Sequence, residues 1–198
     1  MGYSISWLAV KGKEPAAIHQ QFDISSTKEY GDYARYPIVG RVLPSGWYLL
    51  VASRCDHKII SEAVLAKNSI DCAIVACSIE EHVMFFSAAY WEDGQNTWCI
   101  THNSDKDIMD LMVEGQPPDI FNEIKETYLA KQAAEDNHED DYNVDYICEI
   151  PMELARTIVG FKHDEVTPDV EKGSFEIFRF NNRRDSANAK KPWWCFWS

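Results

Sequence analysis

The sequence predicts a single α+β domain over residues 1–198, built on a mixed β-sheet with one parallel β-α-β crossover and a β-hairpin, with helices packed on the sheet. Three observations lead there. Short runs such as "YSISWLAV" (3–10) and "SFEIFRF" (174–180) alternate apolar and polar residues with the period of a strand. Two longer stretches, "PPDIFNEIKETYLAKQAAED" and "YICEIPMELARTIVG", carry helical spacing. Between 46 and 79 a strand, a helix and the nearly uninterrupted apolar run "CAIVACSI" follow one another, the succession expected of a right-handed parallel crossover. With 198 residues and 45% hydrophobic content, the chain can bury roughly 70% of its unfolded surface in one core.

In order, Tyr3, Ile5 and Trp7 alternate with serines and open the chain on a strand. Pro15 suits the first position of a short helix, "PAAIHQQF", with Ile18 and Phe22 on its buried side. "YPIVGRVLPSGWYLLVAS" reads as two strands joined at Pro-Ser-Gly, where Gly46 supplies the backbone freedom of a tight reversal. "DHKIISEAVLAKNSID" places Ile59, Ile60, Ala63, Val64 and Ala66 on one helical face, with Asp56 as N-cap. "EHVMFFSAAYW" and "NTWCITHN" flank Asp93-Gly94 and make the hairpin, and "DLMVEG" adds a short strand. Pro118 starts a helix, Pro151 opens another, and Gly160 ends the latter. The acidic segment 135–145 holds six carboxylates and no Lys or Arg, which predicts a solvated, mobile loop.

The formal net charge is −13. Residues 179–198 carry five Lys or Arg against one Asp, a net +4, so residues 1–178 carry −17. Such a body repels phosphate backbones, which argues against a nucleic-acid ligand and for a basic protein partner. The eight or so mainly apolar residues at the start fall far below the ~20 a membrane helix requires, and no membrane association is expected. Six cysteines, at 55, 72, 77, 99, 148 and 195, show no Cys-x-x-Cys spacing and read as reduced thiols of a cytoplasmic protein. The ending "KKPWWCFWS" crowds Trp193, Trp194, Phe196 and Trp197 into an apolar patch that packs on its own domain or joins copies into a homo-oligomer.

Cys55, Asp56 and His57 are the residue types of a thiol nucleophile, but adjacency defeats the mechanism. On a strand, Asp56 points away from the face that Cys55 and His57 share; on a helix, the three fan out by about 100 degrees each. The edge they occupy is nevertheless the best site in the chain. With parallel strands ending near Ser53 and Ile79, Arg54, Asp56, His57, Glu80, Glu81 and His82 converge beyond their carboxyl ends, where open α/β sheets bind ligands. The bland alternative is surface ion pairs and a helix cap. "FKHDE" (161–165) reads as side chains satisfying a helix end. No zinc motif, phosphate-binding glycine loop or nucleophile elbow occurs, so no metal, cofactor or catalytic residue is assigned.

"MGYSISWLAVKGK", "GWYLLVASRCDH", "VACSIEEHVMFFSAAYW" and "EIPMELARTIVGFKHDE" resemble a family of bacterial cytoplasmic proteins with no assigned activity. The likeness spans most of residues 1–165, omits the basic and aromatic tail at 181–198, and brings no catalytic residue with it. It implies one bacterial domain, compatible with an immunity-type role. The expected function is a non-enzymatic binding protein offering an acidic surface to a basic partner, immunity- or antitoxin-like. The alternative is a small enzyme or ligand-binding domain with a polar site around His57 and His82.

Overall fold

The structure, a computed structural model, describes residues 2–135, 144–165 and 173–181. Most of the acidic segment at 135–145, nearly all of the tail at 181–198, and Cys195 with it, lie outside the described residues. Among the described residues nine strands form one sheet: β1 (Ser4–Lys11), β2 (Ile24–Gly31), β3 (Ile38–Val42), β4 (Tyr48–Ser53), β5 (Ala73–Glu80), β6 (Phe85–Glu92), β7 (Gln95–Asn103), β8 (Leu111–Gly115) and β9 (Phe175–Phe180). Their order is β2-β9-β3-β4-β1-β5-β6-β7-β8. Four helices accompany them: α1 (Pro15–Gln21), α2 (Glu62–Asn68), α3 (Ile120–Glu135) and α4 (Glu149–Val159).

Every strand pair is antiparallel, which overturns the expected mixed sheet and its parallel crossover. β4 and β5 do point the same way, but β1 lies between them, with Trp7 opposite Val51 on one side and Cys77 on the other. The physical reason is that an unbroken apolar run reports burial on two faces, not the direction of the neighbour. Here helices cover both faces of an antiparallel sheet. On one face Trp7, Leu49, Val51 and Val75 form a cluster with Phe121 of α3 and Leu154 of α4. On the other, Leu8, Leu50 and Ile74 pack with Ile18 of α1 and Leu65 of α2.

Local signals set several elements where expected. The β3–β4 reversal closes through Gly46 N–H donating to Leu43 O (2.9 Å), with Gly46 at φ +80°. α4 buries Ile150, Pro151, Met152, Leu154, Ala155 and Val159 and ends at Gly160, whose left-handed φ of 82° lets its N–H donate to Arg156 O (2.7 Å). The helix expected from Asp56 begins later: a single 3-10 turn (Lys58–Ile60) comes first, and α2 starts after Ser61.

On α1, His19 lies against Tyr48 and Phe178, with its Nε2 2.6 Å from the Tyr48 hydroxyl. Burial pulls the imidazole below its ordinary value, with Glu176 opposing the shift, and burial raises the Tyr48 phenol, which therefore donates to a neutral ring. A base whose folded value is depressed is neutral in both states above about pH 6.5. Below that the unfolded chain takes the proton first, so stability falls until the folded value is reached. Urea titrations at descending pH should therefore show the wild type losing more between about pH 7 and 5 than His19→Gln. Equal losses in the two proteins would remove His19 from the acid response.

Candidate functional site

Because β1 runs opposite to both neighbours, its first residues lie between the carboxyl ends of β4 and β5. Arg54 N–H donates to Ser4 O (2.8 Å) and Glu81 N–H donates to Tyr3 O (2.9 Å). The six residues expected to converge thus flank one strand end, and they divide into two sets.

The first set follows β4. Arg54, at φ +107°, turns its guanidinium back onto Asp56, with Nη2 3.0 Å from Oδ1. Asp56 is therefore ion-paired rather than capping, and the cap falls to His57, whose Nδ1 accepts from Ile59 N–H (3.3 Å). The His57 ring stacks on Phe180 with centroids 5.1 Å apart. Between them Cys55 is buried, its thiol pushed up to about 12 by burial and a hydrogen bond to Glu80. A thiol so protonated is a poor nucleophile. The Cys55 carbonyl is held by two hydroxyls that donate to it, Ser6 Oγ (2.8 Å) and Ser78 Oγ (2.6 Å).

The second set follows β5. Glu80 accepts from Ser4 Oγ (2.5 Å) and pairs with His82 Nδ1 (2.7 Å). Burial raises its carboxyl, but the bonds from Ser4, His82 and Cys55 outweigh that and hold it below the usual range. Glu81 accepts from Tyr3 N–H (2.7 Å) through Oε2 and meets His163 Nε2 (3.1 Å) through Oε1. His82 stays largely exposed on Glu80, whereas His57 faces Phe180, so the two histidines sit in different surroundings.

His163 was read from sequence as part of a helix-end cap. It is instead a buried ring, 3% exposed, with Nδ1 lacking a hydrogen-bond partner among the described residues and the Tyr3 ring edge-on at 5.2 Å. Beside it Lys162 extends its ammonium to Glu149 Oε2 (2.8 Å) and Asp164 Oδ2 (3.2 Å). Burial lowers that ammonium, and the two carboxylates outweigh it to hold the group above its usual value. Gly2, Glu81, Phe86, Cys148, Lys162 and His163 border a cleft of about 480 Å³ here. Deeper still, fully buried His102 bridges Asp110 O (Nδ1, 2.7 Å) and Asp145 Oδ2 (Nε2, 2.8 Å).

Sequence reasoning missed His163, Lys162, His102 and Asp145 as interior polar groups. His163 and Glu81 are 82 residues apart, and His102 and Asp145 are 43 apart, so no local period marks them. Chemically, the cluster is closed on itself: each of these charged side chains already has a protein partner, and burial also drives the Cys148 thiol up. Among the described residues no three His, Cys, Asp or Glu side chains are placed to hold a metal ion, and no helix is long and apolar enough to cross a membrane. The five described cysteines are free thiols. No protein family, curated protein or solved structure matches the chain.

Proposed function

We propose that the protein is a non-enzymatic cytoplasmic binding protein that presents an acidic surface to a basic protein, as an immunity or antitoxin-like inhibitor does. The observation that carries this reading is the segment 105–119. It holds Asp105, Asp107, Asp110, Glu114 and Asp119 against Lys106 alone. None of these five carboxylates forms an ion pair with a described residue, whereas Arg54, Arg156 and Lys162 each have one. Paired charges inside the edge cluster leave little reactivity for catalysis, while unpaired surface carboxylates set up the field that steers a cationic partner.

One observation favours a second reading. The buried Nδ1 of His163, without a hydrogen-bond partner among the described residues and 4.0 Å from Asp164 Oδ1, would suit a polar small molecule, in a ligand-binding or catalytic site at the edge that also carries His57 and His82.

Association kinetics separate the two. With a basic protein captured from native cytosol, the association rate should fall about tenfold or more between about 0.05 M and 0.5 M salt, because exposed charges are screened. Asp105→Lys combined with Asp107→Lys should slow it further, while His57→Ala and His82→Ala leave it unchanged. Capture of no basic partner, together with loss of a small-molecule thermal shift in the histidine variants, would replace the first reading by the second.

A further inference from the structure

The two edges of the sheet are built differently. β2, at one end, pairs among the described residues with β9 alone, and its register breaks between Ser26 and Tyr30, where Lys28 takes a left-handed φ of 65°. A bulge and a lysine are the devices by which proteins blunt an edge against further pairing. β8, at the other end, has neither. Among the described residues it pairs with β7 alone, in five unbroken steps from Trp98–Gly115 to His102–Leu111. Met112, Val113, Glu114 and Gly115 are all exposed.

This open edge is also apolar. Met109, Met112, Val113 and Ile120 are among the large hydrophobic side chains most exposed on the described surface, and they cluster within twelve residues. Along β8 they alternate: Met112 and Glu114 point to one face of the sheet, and Leu111 and Val113 to the other. Met112 and Glu114 also form the outer rim of a cleft of about 490 Å³ floored by the small side chains Ala76, Ser78, Ser87 and Ala89. Apolar contacts, acids and outward-facing backbone groups therefore occur together on one strand.

We propose that β8 is a docking edge that takes an extended, basic segment of a partner protein as a tenth strand, the segment's apolar side chains meeting Leu111 and Val113 and its basic ones meeting Glu114 and Asp110. The inference rests on the acidic-binder reading and names its mode. Main-chain hydrogen bonds supply affinity in such strand addition, and alternate side chains supply specificity. The carboxylates of 105–119 choose a cationic occupant. They also disfavour a second copy of this chain, since each copy brings −13.

The test uses the full chain and two synthetic decapeptides, one alternating lysine and valine, the other alternating lysine and proline. They carry the same charge, but proline at every second position removes half the N–H groups and holds the second peptide in a polyproline form that does not fit a strand ladder. The lysine-valine peptide should bind at low salt and slow amide exchange at Leu111–Gly115 about tenfold or more, and Val113→Lys should weaken it about tenfold. Equal binding of both peptides, with no protection at those amides, would overturn the docking edge and leave the acidic surface standing. Failure of both to bind at low salt would overturn both ideas. Concentration-dependent protection of the same amides without peptide, with a doubled mass in sedimentation, would overturn the basic occupant in favour of a second copy.

Discussion

Trp7→Ala should lower the unfolding free energy by about 3–5 kcal/mol, because a fully buried aromatic is truncated where neighbours cannot collapse to fill the space. Trp7 is 1% exposed on the central strand, flanked by Val51 and Cys77 across the ladders and edge-on to Phe161 with ring centroids 5.5 Å apart. Two ladders fix its backbone, so the gap left by the indole would stay open. A native domain is stable by only about 5–15 kcal/mol, so the variant should be marginal at 37 °C. Trp7→Phe is the informative partner. It keeps a ring against Phe161 and deletes an indole N–H that has no hydrogen-bond partner among the described residues, so it should cost only about 1–2 kcal/mol. Urea midpoints with an unchanged slope would measure both. An alanine loss under about 1 kcal/mol would mean that the sheet is not organised around β1.

The same ladders explain what could be read from the chain and what could not. β1, the Gly46 reversal and the Gly160 helix end were legible because each depends on the nearest few residues. β2 was not, since "ISSTKEYG" is a mostly half-exposed, bulged strand whose described neighbour, β9, lies some 150 residues further on. The neighbours of β5 differ from the expected ones for a related reason: burial on both faces is written in its residues, but the insertion of β1 between β4 and β5 is not. The candidate edge shows both cases. Arg54 and Asp56 meet each other, as their spacing allows, and Glu80 meets His82 two residues on. Glu81 meets His163, which the sequence places after a helix that packs on the sheet from afar.

Asp145 ends a run expected to be solvated, yet it joins the approach to α4 to the buried His102. Its Oδ1 accepts the N–H groups of Ile147 (3.0 Å) and Cys148 (3.2 Å) at the approach to α4, while Oδ2 meets His102 Nε2. Nδ1 of His102 faces the Asp110 carbonyl and Nε2 faces Asp145 Oδ2, so both ring nitrogens are held by protein partners. His102 has no solvent access to replace either. Asp145→Ala should therefore cost about 3–5 kcal/mol, the range for leaving a buried polar or charged partner unmatched. Asp145→Asn should cost only about 1 kcal/mol, because its carbonyl can still accept both backbone N–H groups and its amide can donate to a neutral imidazole. Removing both partners, with His102→Phe on Asp145→Ala, should recover part of the alanine loss if the unmatched ring is its main cause. Equal losses for Asn and Ala at position 145, with no recovery in the double variant, would assign the effect to the charge at the start of α4 and not to His102.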